Sequence, residues 1–432
     1  ADPMGAIDAV RHQVRGAVAV RVGDEVDGFL EGEERPPKYE AYAEYLLGEE
    51  KFGIDYDSAE AHYRKALEID PDFVMPRIVL ACSFRNRSRW PEAAAEIAIL
   101  ERRRSSLSRY YRAILDMWRE QLAGRMEGGL AGVREYARLA PADLLAQLDV
   151  ACSALLANRP REAEEACRAP AAWDLLLTPA RPWGATWFRV HGDSLHALGR
   201  HEEELATVRK GRSIYPTRSE LLRAEVRALV PLGRNNEVDR LVDKGLDRAA
   251  AGELPESLLL EAAAELRGHG RGDDARRMAD RAASNLLERP EEKRSREERE
   301  ALVRALLAAE RWLEALPFLA KLEKERPGED VTWMGLRAVA AQRSGDRDAA
   351  SRLDEALRRL DRPYLFGKHH FARAGLAAHR GERQKAVELL SQALAQGTFS
   401  EEAGASFFAH RAFELAPLLG YPPFEELIKP KG

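Results

Sequence analysis

Ser58-Ala-Glu-Ala-His-Tyr-Arg-Lys-Ala-Leu-Glu-Ile-Asp-Pro71 decides how this chain folds. Ala59, Tyr63 and Ala66 stand four and three residues apart, which puts a small, a bulky and a small side chain on one helix face. Pro71 cannot continue that helix and marks its stop. The rhythm returns as Glu204, Val208, Gly211 and Pro216, as Ala315, Leu319, Leu322 and Pro327, and as Ala386, Leu390 and Ala393. A helix–turn–helix unit recurring at about 34 residues marks a solenoid, whose units bury their apolar faces only against neighbours. The expected fold is therefore all-α: an α-solenoid of about ten antiparallel helical hairpins.

Composition agrees with a long array. The chain has 432 residues, 45% hydrophobic and 32% charged, and a surplus of charge suits a surface-rich stack of amphipathic helices. A net charge of −5 is close to balance over this length, so neither a nucleic-acid-binding domain nor a polybasic membrane binder is indicated. No run of eighteen apolar residues occurs, and direct membrane insertion is not expected. Arginine far outnumbers lysine and alanine is abundant, as a GC-rich bacterial genome tends to produce. Cys82, Cys152 and Cys167 sit inside apolar helical patterns without a paired metal or redox spacing, and read as small core residues.

Working outward gives the domain plan. Residues 1–3, ahead of Met4, read as a vector remnant, and 4–38 as an N-terminal helix and linker broken by Gly28, Gly32, Pro36 and Pro37. A first sub-array of repeats covers 39–170. From 171 to 186 regularity lapses in a Trp/Pro-rich connection, the best place for a bend. Trp173, Trp183 and Trp187 there form a candidate aromatic patch, because aromatics anchor interfaces; the alternative is that they plug a gap between irregular units. A second sub-array covers 187–397, interrupted by the mixed-sign run Glu288–Glu300, read as a solvated connection feeding a charged first turn. Residues 398–432 are expected to cap the array, with a helix over 401–416, since a last repeat would otherwise expose its apolar face.

The small–bulky–small–Pro set of Ala59/Tyr63/Ala66/Pro71 and of Glu204/Val208/Gly211/Pro216, with Gly192 in the preceding helix, resembles the tetratricopeptide repeat (TPR). The resemblance covers residues 39–397 and implies that the hairpins wind into a right-handed superhelix. It departs from the pattern where Glu204 replaces the small residue, and where most units lack the first helix's tryptophan–leucine–glycine set. A second resemblance lies in Arg35–Gly48 and Leu418–Leu427, which look like parts of the C-terminal TPR arrays of bacterial signalling proteins, linked there to a Ser/Thr kinase, a cyclase or a winged-helix domain. No glycine-rich phosphate loop followed by lysine and no His-Arg-Asp catalytic loop is present, so no such output domain is read in this chain.

The family implies a concave groove lined by the first helix of each unit, and its slots fall on Met75, Arg85, Tyr111, Trp118, Arg189, Asp193, Arg223, Arg227, Arg304 and Phe371. Arginine and aromatic residues suit a protein or peptide partner. Tyr111 and Trp118 are the preferred groove residues; the alternative is that they pack between units. Chemistry is not expected. His191, His196 and His201 are five residues apart, which spreads them around a helix and into its turn, and no His-x-x-x-His or Glu-x-x-His pair converges on a metal. No catalytic, metal or cofactor site is assigned. The leading expectation is a non-enzymatic scaffold for a protein or peptide. The alternative is a sensory module of a signalling protein, and a third is an enzyme accessory or unrecognised enzyme. A homo-oligomer is compatible with all three. A cytoplasmic location is favoured, or an extracytoplasmic one if the chain is a fragment of a membrane-anchored signalling protein.

Overall fold

A computed structural model describes residues 36–141, 143–168, 183–247, 256–325, 330–398 and 406–431. No strand occurs among them. The chain divides into two compact units, the first centred on residues up to Ser153 and the second on 154–167 and 183 onward.

Unit 1 opens with α1 (Tyr39–Lys51) and α2 (Tyr56–Ile69), followed by α3 (Met75–Asn86), α4 (Trp90–Glu101), α5 (Arg109–Leu122) and α6 (Met126–Leu139). The stretch that set the sequence reading forms α2. Its start is fixed by Asp55, whose carboxylate accepts the Ser58 N–H at 3.1 Å, and its end by Pro71. Ala59, Tyr63 and Ala66 are all fully buried, as one shared helix face requires. The Tyr63 ring lies so close to Gly48 that a Cβ there would clash with it, which explains the glycine in α1. The boundary between the units falls inside α7 (Leu144–Leu156).

Unit 2 continues with α8 (Pro160–Arg168), then the hairpins α9 (Trp183–Ala197)/α10 (His201–Ile214), α11 (Ser219–Leu229)/α12 (Asn235–Asp247) and α13 (Glu256–Gly268)/α14 (Gly272–Leu287). Three more follow: α15 (Arg296–Ala308)/α16 (Trp312–Glu325), α17 (Asp330–Arg343)/α18 (Arg347–Arg358) and α19 (Lys368–His379)/α20 (Arg383–Ala395). The charged run after Glu288 becomes a 3-10 turn over Glu291–Lys293, and then a capping box in which Ser295 and Glu298 satisfy each other's backbone N–H groups ahead of α15. Ala315, Leu319, Ala386, Leu390 and Ala393 are buried, so the rhythm marks the packed face here too.

One device recurs at the start of the second helices. Arg89 pairs with Glu92 three residues on and with Glu60 of the previous hairpin, at 3.0 Å each. Arg200 does the same with Glu203 and Glu164, and Arg311 with Glu314 and Asp280. Single exposed pairs of this kind contribute about 0–1 kcal/mol each. Their effect is to fix register between successive hairpins, because each arginine contacts its own helix and the preceding one.

The chain end departs from expectation. Instead of an α-helix over 401–416, the described residues form 3-10 turns at Ser406–Arg411 and Phe413–Leu418, then the short α21 (Pro422–Ile428). The extended backbone of Ala412 separates the turns, and Pro417, Pro422 and Pro423 withhold the N–H groups that a long helix would need. Leu415, Leu418, Phe424 and Ile428 pack with Ala374, Ala378 and Leu390 of α19 and α20, which covers the last hairpin. The tail then reaches back to Asn158, whose Nδ2 donates to the Lys429 carbonyl and whose own carbonyl accepts the Lys431 N–H, both at 2.8 Å.

Candidate functional site

The departure of Glu204 from the small-residue pattern marks a buried charged centre in unit 2. Five elements meet there. α9 supplies Asp193 and His196, α10 supplies His201 and Glu204, α11 supplies Arg227, and α13 supplies Glu261 and Glu265. The 3-10 turn at 406–411 adds His410 and Arg411.

Glu204 is fully buried, with Arg227, His196 and His201 around its carboxylate. Arg227 Nε donates to Glu204 Oε1 at 2.8 Å, and Arg227 Nη1 to Asp193 Oδ1 at 2.6 Å. His196 Nδ1 lies 2.9 Å from Glu204 Oε2, and His201 Nδ1 lies 3.3 Å from the same oxygen. Burial acts to raise the Glu204 carboxyl, but the Arg227 guanidinium and His196 outweigh it and hold it at about 2. Arg189 pairs with Asp193 at 2.7 Å from the half-exposed rim.

Glu265 is the second buried carboxylate. Its Oε1 lies 2.6 Å from Arg411 Nε and 3.6 Å from His196 Nε2, and its Oε2 lies 3.5 Å from His269 Nε2. Arg411 Nη2 also pairs with Glu261. Burial works against the ionised form of Glu265, and Arg411 and His196 overcome it, keeping the carboxyl well below its ordinary range. Removing one partner from such a buried set leaves an uncompensated charge, at a cost of about 3–5 kcal/mol.

The C-terminal segment is therefore bound along the first helices of unit 2. His410 packs so closely on Gly268 of α13 that a Cβ there would meet its Cδ2 at 2.7 Å, and a Cβ on Gly375 of α19 would meet Glu414 Cβ at 2.9 Å. Phe413 packs beside Trp312, with ring centroids 6.5 Å apart, and its carbonyl lies 3.4 Å from His379 Nε2. Backbone and side chains of 410–415 thus bridge helices belonging to hairpins well separated in sequence.

The residues placed in the groove by sequence divide into three groups. Asp193 and Arg227 join the charged centre, with Arg189 at its rim. Arg85, Arg223, Arg304 and Phe371 are half-buried on first helices; Arg85 lies over the Trp118 ring at 5.2 Å and Arg304 over Trp333 at 5.1 Å, while Phe371 packs against the C-terminal cluster. Tyr111 and Trp118 are 1% and 0% exposed. They pack inside unit 1, and their placement on an open groove surface is corrected, because α5 turns both rings into the core. Trp187 is likewise buried, edge-on to Phe188 at 4.8 Å and to His191 at 5.1 Å. Trp173 and the side chain of Trp183 lie outside the described residues, as does most of the connection read over 171–186.

Sequence reasoning missed Glu265, His269, His410 and Arg411. Only Glu204 carried a signal, as a carboxylate where the repeat asks for a small side chain. No helix among the described residues is long and apolar enough to cross a membrane.

No protein-family model and no curated protein matches the chain. Similar solved structures include a tetratricopeptide repeat protein from Parabacteroides merdae ATCC 43184, at 15% identity over 62% of this chain and 98% of that one, with a TM-score of 0.33. Yeast Tom70 is 13% identical over 90% of each chain, with a TM-score of 0.34. Human IFIT1, determined as a dimer with m7Gppp-AAAA, is 12% identical over 88% of this chain and 80% of that one, with a TM-score of 0.37. The chain is a TPR-like α-solenoid, as its own hairpins and buried repeat positions attest.

Proposed function

We propose that this chain is a non-enzymatic scaffold whose first-helix face in unit 2 binds a polypeptide segment. One observation carries the reading: residues 410–415 of the chain itself lie along α13 and α19, with Arg411 held by Glu261 and Glu265. The same face therefore offers what an external peptide needs, namely acidic acceptors for a guanidinium and apolar walls for the residue two places on. Charge-assisted pairing sets orientation, and apolar burial around Phe413 supplies contact area.

A photo-crosslinking residue placed at Arg223 or Arg304, both half-buried on first helices, in a chain carrying Arg411→Glu to free the face of its own segment, tests the reading. Irradiation in the native lysate should yield a discrete polypeptide adduct that is absent when the probe is placed at the exposed Leu313 of a second helix. Equal labelling at all three positions, or an adduct that nuclease rather than protease removes, would count against a polypeptide partner.

A further inference from the structure

We infer that His196, Glu265 and His410 form a binding site for a divalent transition-metal ion, zinc being the reference case, which staples the C-terminal segment to the array. One ligand atom from each residue lies within 4.8 Å of the others. In a tetrahedral site with bonds of about 2.0–2.1 Å, ligand atoms stand roughly 3.3–3.4 Å apart. The His196 Nε2 to Glu265 Oε1 separation of 3.6 Å is close to that spacing and too long for a hydrogen bond.

The second observation is the environment of Glu265. This carboxylate is fully buried and ion-paired with Arg411, and among the described residues neither of its oxygens meets a donor in full hydrogen-bond geometry. Arg411 Nε approaches Oε1 at 2.6 Å and His269 Nε2 approaches Oε2 at 3.5 Å. A carboxylate oxygen has two lone pairs, so Arg411 and a metal can share Oε1, or divide the two oxygens between them.

Third, His196 already has the orientation that a ligating imidazole requires. Its Nδ1 faces the ionised Glu204 at 2.9 Å. An ionised carboxylate only accepts, so a hydrogen sits on Nδ1, while Nε2 is turned toward Glu265. A carboxylate behind the distal ring nitrogen is the usual support for a metal-bound histidine.

Finally, the charge balance favours a cation. Asp193, Glu204, Glu261 and Glu265 face two enclosed guanidiniums, Arg227 and Arg411, with Arg189 at the rim. These four carboxylates outnumber the three guanidiniums by one, and a cation held by two imidazoles and one carboxylate adds positive charge where acidic groups are in excess. The ligands come from α9, α13 and the chain end, which is why no short sequence spacing announces the site.

The test is titration of the chelator-treated full chain with zinc alone, followed by calorimetry. One equivalent should bind, and the Glu204→Gln variant, which keeps all three ligands, should bind roughly 10- to 100-fold more weakly. His410→Ala should lose the site. X-ray absorption at the zinc edge of the loaded wild-type chain provides a readout free of any folding defect, and should show two imidazoles in a nitrogen/oxygen shell at about 2.0–2.1 Å. Absence of stoichiometric zinc binding by the wild-type chain would overturn the proposal. So would binding that His410→Ala leaves intact, or an absorption spectrum without histidine.

Discussion

Arg411 Nε lies 2.6 Å from Glu265 Oε1, and the same guanidinium pairs with Glu261 on the next turn of α13. This contact fastens the end of the chain to the first helix of a hairpin six elements before α19, so the final segment does more than cover the last repeat.

Glu204→Ala would restore the small residue that the repeat pattern has at this position in α2, yet it should destabilise the protein. Arg227 would keep Asp193 but lose its fully buried second acceptor, and His196 would lose its Nδ1 partner. A loss of about 3 kcal/mol in urea unfolding is expected. A neutral or stabilising result would mean that the charged centre contributes nothing to folding.

Trp118→Ala should cost about 3–5 kcal/mol, because the ring is fully enclosed in unit 1 and its removal leaves a cavity. Thermal unfolding detects this directly. A variant with unchanged melting would return Trp118 to the list of surface residues.

Gly268→Leu should release residues 410–415 while the hairpins stay folded, since any Cβ at this position meets the His410 ring. Hydrogen exchange should rise in 406–431 and stay flat in α9 to α12. Uniform protection throughout would show that the segment adjusts around the new side chain.

Acid should weaken unit 2 through His379. Burial lowers this imidazole to about 4, with Arg343 adding to the shift, the Phe413 carbonyl and Glu310 opposing it, and Arg267 adding a little more. The unfolded chain, with an ordinary value near 6.5, takes up a proton that the folded chain refuses. Stability from this group is therefore complete above about pH 6.5 and declines as pH falls toward 4, by an amount on the order of 2 kcal/mol. His379→Gln should flatten the urea midpoint over that window. An unchanged slope would remove His379 from the account.

The repeat was legible because packing imposes it: Ala59, Tyr63 and Ala66 can share one buried face only at helical spacing, and that spacing is local. Glu204 was legible only as an exception to the rule. Its meaning lay in Arg227, Glu265 and Arg411, which arrive from other hairpins and from the chain end. Helical periodicity says which face of a helix is buried, but it does not say which helices meet. For the same reason Tyr111 and Trp118 occupied the right positions along α5 for a groove, while the neighbouring helices of unit 1 closed over them. The C-terminal turns were read as a helix because Phe413 and its neighbours are apolar, whereas the prolines after them govern the backbone.

The central claim is that the first-helix face of unit 2 accepts a polypeptide segment anchored by an arginine. It is tested most directly by adding a synthetic peptide of residues 406–431 in trans to the full chain carrying Arg411→Glu, whose own segment is repelled by Glu261 and Glu265. Saturable binding to this variant, with little to the wild-type chain and none by a peptide in which the arginine is replaced, is the predicted result. Failure of the peptide to bind the variant, with hydrogen exchange confirming that its own segment has left, would contradict the account.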